Sequence, residues 1–235
     1  GSRVVENAWY IQKHEEGQAD RSIAEIVKQI TKTAQVFLFD GGQDAKANTG
    51  GLIATDNPDD FEKFMNEVVV FEGLHTYGGM AGRTMEVLAR GIREMVGEAE
   101  AHWVMAQNER FTQRLRDGGV PLERGCDGAY ILADAFLPHL AEHQQDTLAA
   151  ALYLTAGVRT VATGLAKKDP LLPVQVPRLS MTNQQLDQVA DAIIQLHTQA
   201  DRIHGLQPLA QGDWRDEMAY HWLFPDLQLF TFDTF

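Results

Sequence analysis

The sequence predicts an α/β fold in two unequal parts. Short β-branched and aromatic runs alternate with segments of helical period, and Gly, Pro and Asp-Gly turns separate them. A long helical pattern from Arg83 to Asp117 divides one such alternation from a second. A chain of 235 residues with 44% hydrophobic content is enough to bury a sizeable core.

In chain order, the segment Glu6 to Gln18 has apolar Ala8, Trp9 and Ile11 near its start and then turns polar, which predicts an exposed loop-helix. Ile23, Ile26, Val27 and Ile30 follow at helical spacing behind Ser22, with Glu25 three residues on. That is the pattern of a capping box, and it predicts an amphipathic helix from Ser22 to Thr33. Val36 to Phe39 and Gly51 to Ala54 read as buried strands, each ended by turn residues. A helix over Pro58 to Glu67 and an apolar stretch, Val68 to Phe71, lead to the glycine-rich loop Tyr77 to Gly82.

From Arg83, Met85, Leu88, Ala89, Ile92, Met95 and Val96 keep the i, i+3, i+4, i+7 spacing of one continuous helix that stops at Gly118-Gly119. Beyond it, Ala129 to Leu132, Val158 to Val161 and Val174 to Val176 read as strands, and Gln144 to Leu154 and Asn183 to His204 as helices. An irregular aromatic tail, Trp222 to Phe235, ends the chain. The domain boundary falls at Arg83. Residues 1–82 form one part, and 83–235 form a small α/β domain carrying the long bridging helix.

Thirty-three acids against 20 bases give a formal charge of −13, a field that repels phosphate backbones and anionic membranes. The lone Cys126 forms no internal disulfide, and there is neither a signal-peptide pattern nor an apolar run near the ~20 residues of a membrane span. A cytoplasmic setting without nucleic-acid or membrane partners is the expectation. The eight histidines carry no HExxH pattern, so a metal site would need residues joined only in three dimensions.

Four places could carry chemistry. The loop Tyr77 to Arg83 brings three glycines to a helix start, which suits either an anion or a tight inter-domain turn. Asp40-Gly41-Gly42-Gln43-Asp44 lies between two strands, as a ligand-binding sheet edge or as a solvent-exposed turn. Arg178, just after the Val174 to Val176 strand, would grip a carboxylate or form a structural pair. The alternating tail Leu227 to Phe232 reads as an edge strand or packing plug, or as an aromatic substrate wall that would include Phe230.

Several stretches occur together and in order: Arg3-Val4-Val5-Glu6-Asn7-Ala8-Trp9-Tyr10-Ile11, Ser22 to Val27, Asn48-Thr49-Gly50-Gly51, Val69 to Gly73 through Thr76 to Glu86, Gly157-Val158-Arg159, and Val176-Pro177-Arg178 with Thr182. In these the chain resembles the β-eliminating lyases, the family of tryptophanase and tyrosine phenol-lyase, which are fold-type-I pyridoxal-phosphate (PLP) enzymes. The resemblance covers essentially the whole chain and implies the C-terminal half of that fold, the end of the large domain plus the small domain.

The family's first half has no counterpart here. It would supply the phosphate-binding loop, the ring stacked on the cofactor, and the aspartate that pairs with the pyridine nitrogen. Arg3 matches the arginine three positions after that aspartate, which implies a cofactor-facing role. Counted back from Asn48, the Schiff-base lysine falls on Gln43 and its lysine neighbour on Gly42, while Asp44 matches. An amide forms no Schiff base, and Lys46 could replace it only through a register shift.

The substrate-carboxylate arginine corresponds to Pro173, and Arg178 to a later arginine. Thr163 stands where tyrosine phenol-lyase has a phenol-directed arginine, and Leu229 where tryptophanase has a histidine near the indole. Asn48 matches a position whose carbonyl binds a monovalent cation, and Glu72 lies in the matching interface, so a potassium-type site is implied. The combined expectation is one half of a split or processed tryptophanase-like protein in an oligomer. It would take an amino acid or related small molecule, with a partner supplying the first half and PLP not held covalently by this chain. The alternatives are a non-catalytic subunit that stabilises or regulates a homologous partner, and a small-molecule binding protein.

Overall fold

In the computed structural model, residues 3–74, 79–160, 170–208 and 222–223 are described. The chain forms α1 (Val4–His14), α2 (Ile23–Lys32), β1 (Val36–Asp40), α3 (Gly41–Asp44), β2 (Gly51–Thr55), α4 (Pro58–Glu72), α5 (Gly82–Met95) and α6 (Glu98–Asp117). Then come β3 (Leu122–Arg124), β4 (Gly128–Leu132), α7 (Ala133–Phe136), α8 (Gln144–Ala156), β5 (Leu171–Gln175), α9 (Asn183–Thr198), β6 (Gln207–Pro208) and β7 (Trp222–Leu223). The mixture of helix and sheet agrees with the α/β class.

Two compact units arise: Gly1–Gln107 with Pro177–Ser180, and Asn108–Val176 with Met181–Phe235. The division lies inside α6, whereas the sequence placed the boundary at Arg83. The reason is α5. Its Leu88 and Met95 join the core of the first unit, with Ile23, Ile26, Trp9 and Phe39, and its Gly91 lies flat on Ala45. The expected single helix over 83–117 is two, parted at Val96-Gly97. There Gly97 N donates to the Glu94 carbonyl at 2.9 Å, and Glu98 opens the next helix.

The first unit holds the capping box as read. Ser22 accepts from Glu25 N, and Glu25 accepts from Ser22 N at 2.9 Å. Glu98 adds a second cap, its Oε1 accepting from Ile23 N at 2.7 Å. Two expectations fail here. α1 is not an exposed loop-helix, since Val4, Val5, Glu6, Ala8, Trp9 and Gln12 are all buried. Its polar-looking stripe turns inward because Glu6 and Gln12 find partners there. Nor are β1 and β2 buried strands. They form an antiparallel ribbon with Phe37↔Ala54 and Phe39↔Leu52 toward one face and Leu38↔Ile53 toward the other. Phe39 is buried, but Leu38 and Ile53 are exposed. The apolar stretch after Glu67 simply continues α4.

The second unit builds an antiparallel sheet, order β3-β4-β5, in which β3 escaped the sequence reading. Ile131, Leu172, Phe111, Phe136, Leu148, Leu152 and Ile193 form its core. Buried Asp127 ties the sheet's end, accepting from the Tyr130 hydroxyl at 3.0 Å and from Gln175 Nε2 at 2.5 Å. Burial first, then the Asp127 charge, pushes the Tyr130 hydroxyl up to about 12.

Thr182 and Gln185 form a second capping box at the start of α9. This helix ends at Thr198, short of the expected His204, and a 3₁₀ turn follows over Ala200–Arg202. The strand expected at Val158 to Val161 is not seen over 158–160, where Gly157 in the left-handed region has closed α8; Val161 lies outside the described residues. So does the tail beyond Leu223. No helix among the described residues is long and apolar enough to cross a membrane.

A Cβ placed on Gly91 would sit 1.8 Å from the Ala45 carbonyl oxygen. Gly→Ala in an exposed helix gains about 1 kcal/mol. Here overpacking against backbone reverses the sign, and Gly91→Ala should lower unfolding stability by about 1–3 kcal/mol, read from urea denaturation.

Candidate active site

Asp40 ends β1 and folds the chain back on itself. Its Oδ1 accepts from Gly42 N at 2.8 Å and from Gln43 N at 3.1 Å, which starts the single turn of α3. Gly41 N donates to the Gly50 carbonyl at 2.8 Å. A Cβ on Gly41 would meet that oxygen at 2.7 Å and the Leu88 side chain at 2.8 Å, so only glycine fits. This turn sorts its neighbours. Gly42 and Gln43 face solvent, whereas Gly41, Asp44 and Ala45 are buried.

Asp44 is fully buried, and its Oδ1 accepts from Arg3 N at 2.8 Å. Its Oδ2 accepts no hydrogen bond among the described residues. Burial raises the Asp44 pKa and Glu6 adds to the rise; the Arg3 N–H and the charges of Arg178 and Arg3 oppose it. Arg3 sits in the left-handed region at φ 59 as the N-cap of α1, where it needs an external partner for its N–H. Asp44 is that partner.

Around these two lies a chain of charges, buried at Glu6 and Arg178 and partly exposed toward Lys46 and Glu94. Arg178 Nη2 meets Glu6 Oε2 at 2.6 Å with both side chains 1% exposed. Arg3 Nη1 lies 3.7 Å from Glu6 Oε1, and Arg178 Nη1 lies 3.7 Å from Glu100 Oε1. Glu100 Oε2 in turn receives Lys46 Nζ at 2.7 Å, and Lys46 also reaches Glu94 at 3.4 Å. The structure therefore brings Arg3, Asp44 and Arg178 together with Glu6, Glu100 and Lys46, the last three of which sequence reading did not assign to a site. The helical phase of Glu6, three residues before the apolar Trp9 and next to Val5, is the signal that could have marked an inward acid.

Arg178 was expected in a substrate pocket, at a carboxylate or as a structural pair. It is a pair, and the carboxylate is the protein's own. Pro173 lies mid-strand in β5, opposite Tyr130, and brings no cation. Asn48 and Glu72 are both exposed. Thr163, Leu229, Phe230 and the loop residues Tyr77 and Gly78 lie outside the described residues. His139 and His143 have four-residue spacing, but they sit in a non-helical segment and His139 Nε2 is engaged by the Ile203 carbonyl at 2.8 Å. No group of three or more His, Cys, Asp or Glu side chains among the described residues could hold a metal ion.

A covalent hold on PLP needs a free amine, and the loop can be tested for one. Gln43 offers an amide, and Lys46, in the left-handed region at φ 56, has its amine committed to two carboxylates. Within residues 40–48 the side chains do not fit a covalently held PLP.

No protein-family model matches the sequence. Individual proteins do. The chain is 35% identical over 223 residues to the tyrosine phenol-lyase of Nostoc punctiforme, a match covering 88% of this chain and 48% of that one. It is 34% identical to the tyrosine phenol-lyase of Pasteurella multocida, covering 87% and 48%. The tryptophanase of Rhodobacter capsulatus is likewise 34% identical, covering 87% and 49%. The chain thus spans about half the length of these relatives, and the half it matches is the C-terminal one.

Removing one partner of the Glu6–Arg178 pair leaves the other charge buried. Glu6→Gln or Arg178→Met alone should cost about 3–5 kcal/mol in urea denaturation, and the double variant Glu6→Leu/Arg178→Met much less than their sum. For Asp44 the sign is opposite. Its folded pKa lies above the unfolded value, so its ionisation opposes folding at neutral pH, and stability is recovered as pH falls through the raised pKa. Asp44→Asn keeps an acceptor for Arg3 N. It should match or exceed the parent's melting temperature at pH 7, with any advantage shrinking as the pH is lowered.

Proposed function

As a homologue of the C-terminal half of the β-eliminating lyases, this chain is, we propose, one half of a split tryptophanase-like protein. In this reading a partner polypeptide supplies the first half, and the assembly acts on an amino acid or related small molecule. The Schiff-base lysine is replaced by Gln43, so PLP, where it binds, is not held covalently by this chain. The observation that carries this is Gln43 itself, an exposed amide on a turn whose nearest following amine, Lys46, is tied to Glu100 and Glu94.

Within the assembly Arg3 and Asp44 keep the positions their family counterparts hold. Asp44 fixes Arg3 at the start of α1, while Glu6 and Arg178 hold that helix in place. Asn48 and Glu72 are the residues this chain would contribute to a monovalent-cation site, and Thr163, Leu229 and Phe230 those it would contribute to a substrate pocket.

A second reading makes the chain a non-catalytic subunit that stabilises or regulates an intact homologue. It is favoured by Pro173 and Arg178 together, since the first brings no cation to the substrate-carboxylate position and the second is occupied by Glu6.

Borohydride reduction of the assembled protein with added PLP, followed by peptide mass mapping, tests the covalent claim. No phosphopyridoxyl adduct is expected on residues 40–48, whereas Gln43→Lys should acquire one at position 43. An adduct on Lys46 of the parent would refute the proposal. Catalytic and non-catalytic readings part in turnover assays of the complex across amino acids. The first requires product formation that depends on this chain, and the second only a change in the partner's melting temperature.

A further inference from the structure

The first unit carries apolar surface that no described residue covers. α4 spans 15 residues without one of them buried, yet Phe61, Phe64, Val68 and Phe71 recur at the 3-4-3 spacing of a helix seam. Phe61 is 58% exposed and Phe71 79%, and Val70 beside them is 72% exposed. On the β1–β2 ribbon, Leu38 and Ile53 pair across the strands and are 58% and 53% exposed. Among the described residues neither outer edge of this ribbon is paired. A lone two-stranded ribbon is marginal in water, as is an uncovered helix of this length. Exposed apolar side chains and open strand edges of this kind mark sites of association.

Charge decides what covers them. α4 bears Asp59, Asp60, Glu62, Glu67 and Glu72 against the single base Lys63, which is held by Asp60 at 3.0 Å. A second copy would set this acidic rim against its own like, in a chain already at −13. The occupant instead needs an apolar centre, a basic rim and strands to add to the ribbon. A source for such surfaces is the half of the relatives' length that has no counterpart here.

We propose that α4 and the Leu38/Ile53 face of the ribbon together form the docking surface for the polypeptide that supplies the lyase's first half. This rests on the split-protein reading above and adds to it the place and chemistry of the contact.

The probe is the first half of the Nostoc punctiforme tyrosine phenol-lyase, the portion this chain does not match, co-expressed with the full chain. A heteromeric complex is expected by size-exclusion chromatography with light scattering. Phe71→Glu and Leu38→Lys should each weaken association about thirtyfold or more while leaving the melting temperature of the chain alone unchanged or raised. Tyr153→Glu, an exposed aromatic of the second unit, should bind like the parent. A complex that forms equally well with Phe71→Glu and Leu38→Lys overturns this docking surface and leaves the split reading standing. No complex with the parent chain overturns both. A homodimer of the parent that Phe71→Glu disperses makes the occupant a second copy and overturns the proposal.

Discussion

The Glu6–Arg178 pair is the contact on which the first unit is organised. Its two ends are 172 residues apart in sequence and both side chains are almost completely out of water. Buried ions of this kind are costly unless each meets an opposite charge. The fold therefore has to bring the start of α1 and the segment after β5 to the same point, and α6 must deliver Glu100 beside them. Once these are in place, Arg3 hangs from Asp44, and Asp44 fixes the depth of the turn that follows β1. Helix, loop and distant segment are set by one electrostatic requirement.

Local features were legible in the sequence because their causes are local. Ser22 with Glu25 announced the start of α2, the Gly118-Gly119 pair ended α6, and the apolar periods located α5 and α9. The failures share the opposite cause. α1 was read as exposed because Glu6 and Gln12 look like solvent-facing residues until their partners, Arg178 and Arg21, are known. Strand burial was inferred for Leu38 and Ile53 from hydrophobicity alone, although burial depends on what lies opposite. The break at Val96-Gly97 sits within an unbroken apolar period and so leaves no trace in the pattern.

The candidate site divides the same way. The assignments of Gln43, Asp44 and Arg3 came from resemblance at known spacings, and the turn geometry adds how Asp44 and Arg3 meet. Lys46 is different. Only the structure reveals its two carboxylate partners, Glu94 and Glu100, from a helix pair some fifty residues on. These neighbouring charges account for Lys46 as a structural ion pair.

The turn at Asp40 to Ala45 divides positions that tolerate exchange from positions that do not. Positions 42 and 43 point to water, while 41, 44 and 45 are locked between α5, Gly50 and Arg3. Folding therefore constrains the buried flanks of this turn far more than the two exposed positions between them. A side chain exchanged at position 42 or 43 changes the chemistry the turn offers to solvent while leaving its buried frame in place.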